Sequence, residues 1–246
     1  MKRRHFLPAA ATLAAAPLIG AQPRASLPAD GRHLIELRTY EMKFGGGGQT
    51  LLLTYLREVL GPHLVALGCS PPRIMKERGD SQPAKLWVLI SYPSAETYLA
   101  AQDQPADASY DAVGPDKPLY NRFSSQLLQP FVSLPTVADV ADDAGLFELR
   151  TYEGYSEDAV RRKVAMFNTE EIPLFYEVGL TPVFFGKMIA GPYRPALVYM
   201  LQFKNMEARS AAWGTFGPHP AWKKMSGKPE YANSVSNIRR LFLEPV

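Results

Sequence analysis

The chain has 246 residues, 46% of them hydrophobic and 21% charged, with a formal net charge of +3; this is globular composition, long enough for two small cores, and it excludes a disordered or fibrous chain. The positive charge sits at the start: removing residues 1–25 takes away Lys2, Arg3, Arg4 and Arg24, and 3 − 4 leaves −1. A near-neutral remainder has no electrostatic footprint for nucleic acid or an anionic membrane, and the single cysteine, Cys69, cannot form an internal disulfide.

The N-terminus, Met1-Lys2-Arg3-Arg4-His5-Phe6-Leu7, places a basic pair before an Ala-rich stretch, residues 9–20, that is too short and weakly apolar to span a bilayer. The Arg-Arg-x-Phe-Leu order resembles a twin-arginine (Tat) motif. Residues 1–25 are therefore expected to be a Tat-type signal peptide, the mature chain to be periplasmic or secreted, and no part of it to insert stably in a membrane.

Beyond a short connector, residues 33–43 alternate as a half-buried strand should, with Ile35, Leu37 and Thr39 on one face and Glu36, Arg38 and Tyr40 on the other. A Gly45–Gly48 connector leads into a helix over 49–67, where apolar residues recur at helical spacing, Pro62 should kink or break the last turns, and Gly68 stops the helix. Strands follow at 73–78 and 85–92 around a Gly79-Asp80-Ser81 turn, then a helix from Ala95 capped by Ser94, a polar loop or irregular helix over 104–118, and a strand at 122–132. The same order then recurs. Glu36-Leu37-Arg38-Thr39-Tyr40-Glu41 returns as Glu148-Leu149-Arg150-Thr151-Tyr152-Glu153, opening a strand at 146–155, and Pro173 precedes Gly179 by the same interval as Pro62 precedes Gly68. Strands at 181–190, 196–203 and 236–243, and an Asn205-capped helix containing Trp213, complete the second copy.

Strand, helix, strand, strand, helix, strand is the ferredoxin-like order. The expected fold is α+β: two tandem βαββαβ modules, residues 32–133 and 146–246, joined by a Pro-, Ala- and Asp-containing linker at 134–145. Each module covers one sheet face with helices and leaves the other bare, so the two sheets should pack face to face as an intrachain α/β barrel. On this arrangement the leucine face lies under the helices and the Glu, Arg and Tyr face points into the barrel. Exposed sheet edges would leave pairing into a homodimer open.

Glu36-Leu37-Arg38-Thr39-Tyr40 and Glu148-Leu149-Arg150-Thr151-Tyr152, with Trp213 and His219-Pro220-Ala221-Trp222, are the residues through which the chain resembles the NIPSNAP family of the dimeric α/β-barrel superfamily. The resemblance implies the paired barrel over nearly the whole mature chain and carries over no agreed catalytic residue. The His-Pro-Ala-Trp stretch has no clear counterpart in the first copy.

The candidate ligand-binding residues are Glu36, Arg38, Tyr40, Glu148, Arg150, Tyr152, His219 and Trp222. Glu and Arg on one face either neutralise each other as a structural network or form a pocket where an arginine clamps an anionic oxygen and a tyrosine orients it. His219 is either a packed loop residue or a group able to ligate metal or haem and to shuttle protons. No His, Cys or carboxylate cluster has metal-ligand spacing, and no c-type haem or dinucleotide motif is present, so no metal site is expected and the cofactor stays unknown. Two functions remain in view: a binding protein holding a small molecule or partner in or near the barrel, or a monooxygenase-, isomerase- or haem-type enzyme of the same architecture.

Overall fold

The computed structural model describes residues 31–45, 48–80, 82–112, 114 and 118–246. The segment read as an export signal lies outside the described residues, as do Gly46 and Gly47 of the glycine connector and Ser81 of the turn.

Eight strands form the sheet: β1 (Leu34–Glu41), β2 (Arg73–Glu77), β3 (Lys85–Tyr92), β4 (Arg122–Pro130), β5 (Leu146–Glu153), β6 (Thr181–Ala190), β7 (Ala196–Phe203) and β8 (Asn237–Pro245). They close into an antiparallel barrel in the order β1-β3-β2-β8-β5-β7-β6-β4. In each half the first strand sits between the third and the fourth. Two seams join the halves, β2 to β8, where Met75 faces Pro245, and β4 to β6, where Gln129 faces Lys187. Every strand has two neighbours, but the two seams are short, and the outer edges of residues 122–126 in β4 and 237–241 in β8 lie beyond the seam ladders.

The helices lie outside. In the first half α1 (Gln49–Tyr55) continues through a π turn (Leu56–Leu60) into α2 (Gly61–Ala66); in the second, α5 (Glu157–Met166) continues through a π turn (Phe167–Glu171) into α6 (Ile172–Glu177). Neither proline ends its helix, and in each the regular α pattern is interrupted by the π turn just before it. Pro62 and Pro173 follow the wide turn, whose extra residue relieves the mismatch created by a residue without an N–H. Both helices then end on a left-handed glycine, Gly68 (φ 86°) and Gly179 (φ 79°), and the next amide turns back, Cys69 to the Leu64 carbonyl (3.0 Å) and Leu180 to that of Phe175 (2.8 Å). The remaining helices are α3 (Ala95–Ala100), α4 (Ala108–Asp111), α7 (Met206–Phe216) and α8 (Pro220–Ser226). Ser94, Ser156 and Asn205 cap α3, α5 and α7 by accepting the amide hydrogens of Thr97, Ala159 and Ala208.

The core has three parts. Ile35, Leu37, Leu128, Phe147, Leu149, Phe184, Met188 and Met200, drawn from both halves, pack together inside the barrel. Tyr40, Leu52, Leu60, Val88 and Tyr92 fill the space between sheet and helices in the first half, and Tyr152, Phe167, Phe175, Tyr199 and Phe216 do so in the second.

This corrects the expected facing. Leu37 and Leu149 point into the barrel, and Glu36, Arg38, Tyr40, Glu148, Arg150 and Tyr152 point outward, beneath the helices. The two polar rows therefore do not meet across the barrel. An eight-stranded barrel has an interior just wide enough for side chains to fill, and six polar groups there would be charged or hydrogen-bonding atoms cut off from other partners. The outer face is a layer to which helices bring partners of their own. A ligand site in the barrel interior loses its basis, because that space is packed with apolar side chains.

Candidate functional site

In the first half the row forms a closed network. Arg38 grips Glu36 with two bonds, Nε to Oε1 (2.9 Å) and Nη2 to Oε2 (3.1 Å), and donates Nη1–H to the Tyr40 hydroxyl (3.2 Å). Tyr92 donates to Glu36 Oε2 (2.7 Å), and Ser125 donates to Oε1. Glu36 and Arg38 are each 1% exposed. Burial alone would raise the Glu36 pKa, but the Arg38 charge with the hydrogen bonds from Arg38, Ser125 and Tyr92 holds it below the ordinary carboxylate value. Tyrosines crowd the surroundings: Tyr120 packs edge-on to Tyr40 (5.1 Å), and Tyr110 stacks on Tyr55 (3.8 Å). Burial raises the pKa of Tyr40, Tyr92 and Tyr110, and that of Tyr55 to about 12, so these hydroxyls stay protonated; Tyr55, Tyr92 and Tyr110 donate, to Gln104, Glu36 and Tyr120, and Tyr40 accepts from Arg38.

The second half starts from the same letters and ends elsewhere. Arg150 bonds Glu148 Oε1 through Nε (2.7 Å) and Nη2 (2.7 Å) and donates to the Tyr152 hydroxyl (3.2 Å), which pairs with that of Tyr199 (3.0 Å). From α7 a second arginine, Arg209, approaches the same carboxylate, Nε to Oε2 (2.8 Å) and Nη2 to Oε1 (3.0 Å), and Trp213 donates its indole N–H to Oε2 (2.8 Å). The Trp213 ring also lies 3.9 Å from the Arg150 guanidinium carbon, a cation–π contact. Arg240, opposite Arg150 on β8, is exposed. One carboxylate thus serves two arginines, which leaves one unbalanced positive charge. Glu148 is fully buried, while the Arg150 and Arg209 side chains keep 13% and 15% exposure, so that excess reaches solvent. Burial would raise the Glu148 pKa, but hydrogen bonds from Arg209, the Arg150 charge and bond, and Trp213 outweigh it and lower the value. Burial and the Arg150 charge act oppositely on Tyr152, and burial prevails, raising its pKa.

His219 and Trp222 are not brought into this row. His219 is the N-cap of α8; its Nδ1 accepts the Ala221 amide hydrogen (3.3 Å) and its Nε2 lies 3.4 Å from Glu177. Trp222 packs on Phe216 (4.6 Å), which in turn meets Trp213 (5.3 Å), so it supports the row through an aromatic chain. Nearby, Lys163 and Glu171 form a fully buried ion pair (2.7 Å), with the ammonium 5.5 Å from the Trp222 ring. Burial raises the Glu171 pKa against the pull of Lys163.

Arg209, Tyr199, Tyr92, Ser125, Lys163 and Glu171 complete these networks without any expectation from sequence. For Arg209 a signal exists: it stands four residues before Trp213 on a capped helix, so both project from one face. Tyr92 and Ser125 come from other strands, and only strand register brings them to Glu36. Among the described residues no group of three or more His, Cys, Asp or Glu side chains converges, and no helix is long and apolar enough to cross a membrane.

Comparison with known proteins gives a family match and a fold match. No curated protein matches the chain in sequence. Two bacterial proteins, each described as a "putative monooxygenase", are similar in structure: one from Fusobacterium nucleatum (8% identity, TM-score 0.58, 87% of this chain and 93% of that one) and one from Lactobacillus acidophilus (11%, 0.56, 86% and 93%). An anthrone oxidase-like protein aligns over 89% of this chain and 93% of its own (11% identity, TM-score 0.52). At such identities the likeness is one of fold: a mixed α/β chain closed into an eight-stranded antiparallel barrel. Residues 147–246, in the half that carries the arginine-rich row, match the family model described as NIPSNAP.

Proposed function

We propose that this chain is an exported protein built of two tandem NIPSNAP-type, ferredoxin-like modules, residues 32–133 and 146–246, joined at 134–145 and preceded by a Tat-type signal at 1–25. It binds a small anionic molecule on the outer face of the second module, at Arg150 and Arg209 beneath α7. Support for the tandem reading comes from the repeated Glu-Leu-Arg-Thr-Tyr-Glu word, the matched π turns and terminal glycines, and the identical strand order of the two halves.

The observation that carries the binding reading is the unbalanced charge at Glu148. Two guanidinium groups share one carboxylate, and Arg209 Nη1 has no hydrogen-bond partner among the described residues. A guanidinium fork prefers planar, bidentate oxygens, and Trp213 supplies a ring face beside it. Small carboxylates fit this chemistry better than neutral molecules, which would leave the excess charge unmet. Native mass spectrometry of the mature protein against its host's metabolite extract, followed by calorimetry with benzoate and benzyl alcohol, is the direct test. Saturable benzoate binding that is weakened by Arg209→Gln, with benzyl alcohol weaker throughout, is the expected outcome. Failure of every carboxylate to bind would end the reading.

The fold likeness to proteins described as monooxygenase or oxidase supports a second reading, a small-molecule enzyme, by architecture alone, and one fold hosts many functions. A haem or flavin absorbance band in the purified protein, or turnover abolished by Arg150→Ala, would favour it over simple binding.

A further inference from the structure

A separate groove opens at the β4–β6 seam, on the outer surface between the sheet and α5. It has a volume of about 380 Å³, within the range of small-ligand pockets. Its helical wall is one face of α5 and the turn after it, Glu157, Val160, Arg161, Val164 and Asn168, spaced as a single helical stripe. Gln129 to Val132 and Lys187 to Ile189 form the other wall, with Arg194 at the rim. The strands approach closely here because residue 186 is glycine: a Cβ at that position would stand 2.7 Å from the Leu128 Cβ.

The lining has two characters. Val160, Val164, Phe131 and Ile189 provide apolar surface, while Arg161, Lys187 and Arg194 line the groove with one carboxylate, Glu157. Arg161 is tied to Asp158 (2.8 Å), but Lys187 and Arg194 have no ion-pair partner among the described residues. None of the residues of the Glu148 row lines this groove. A patch of cations beside an apolar trough is complementary to a ligand with both parts. A free inorganic anion would leave the apolar walls wet, and a neutral apolar molecule would leave the cations unmatched.

We infer that this seam groove is a second binding site, for an amphipathic anion: an apolar chain or ring carrying a phosphate or carboxylate headgroup. The headgroup lies between Lys187 and Arg194, and the apolar part runs along Val160 and Val164. The inference stands apart from the proposed role of Arg150 and Arg209 and can succeed or fail independently of it.

The test is calorimetric titration of the mature chain with decyl phosphate held below its micelle concentration, with decanol and inorganic phosphate alongside. Saturable binding of decyl phosphate is expected, stronger than for either control. The exposed double substitution Lys187→Gln with Arg194→Gln should weaken it ~10-fold or more, as loss of charge-assisted bonds implies. Val132→Asp, at an exposed rim position, should also weaken it by adding a negative charge. Arg209→Gln should leave it unchanged. The inference is overturned if monomeric decyl phosphate does not bind saturably, if it binds the double variant as tightly as the parent, or if phosphatidylglycerol vesicles are retained while the monomer is not. Loss of binding on Arg209→Gln alone would assign the ligand to the other site.

Discussion

The two copies of Glu-Leu-Arg-Thr-Tyr are identical in letters and differ in what surrounds them. Around Glu36 the other strands supply hydroxyls, Tyr92 and Ser125, and the network is neutral and sealed. Around Glu148 the helix supplies Arg209 and Trp213, and β8 places Arg240 opposite Arg150 where β4 places Ser125 opposite Arg38. The first copy behaves as a structural tie between sheet and helices. The second carries an excess charge that reaches water. The difference teaches that a duplicated motif keeps its geometry while its function is set by partners contributed from other elements.

This contrast can be broken experimentally. Removal of Glu36 should have the largest effect, because Glu36→Ala leaves Arg38 charged, 1% exposed and without its partner; a loss of about 3–5 kcal/mol is expected. Glu148→Ala should cost less, because Arg150 and Arg209 can turn toward solvent. Urea denaturation of both variants checks the order, and an equal or larger loss for Glu148→Ala would contradict the sealed-versus-open distinction.

Acid stability sharpens the same comparison. Glu36 and Glu148 both have pKa values lowered in the folded protein, so each contributes stability that is fully present above the ordinary carboxylate value, near 4.5, and is lost as pH falls through its folded pKa. Glu171, with its pKa raised, acts with the opposite sign: its contribution becomes less favourable as pH rises through the region above the ordinary value. Folding free energies measured between about pH 5 and about pH 2 should fall less steeply in Glu36→Gln than in the parent protein. An unchanged slope would remove Glu36 from the acid response.

The smallest expected effect belongs to His219. It caps α8 by accepting one amide hydrogen, so His219→Ala should cost roughly 0.5–1 kcal/mol and leave ligand binding at Arg209 intact. A large loss of benzoate affinity in that variant would place the histidine in the site after all.

Much of the fold was legible before any coordinates. The repeated word, the helix caps at Ser94 and Asn205, the terminal glycines 68 and 179 and all eight strands follow from period, turn chemistry and capping, which are local. The grouping of Glu36, Arg38 and Tyr40 on one face was equally local, since side chains two apart on a strand point the same way. Half of the network around Glu148 was legible too, as Glu148, Arg150 and Tyr152. Its other half, Arg209 and Trp213, lies about sixty residues further on, at a distance in sequence that only packing of α7 on the sheet closes.

The sequence by itself determined the eight strands, their repeated order and which side chains share a face. Tertiary structure decided which of those faces is inside. Alternation with a period of two carries no sign, and both faces of the repeated strands offer apolar bulk, Ile35 and Leu37 on one and Tyr40 on the other. The choice was made by closure: eight strands drawn into one barrel leave a narrow interior that close-packed Leu, Phe and Met can fill, and the charged rows were left to the helix layer, where an arginine and a tryptophan from another part of the chain could meet them.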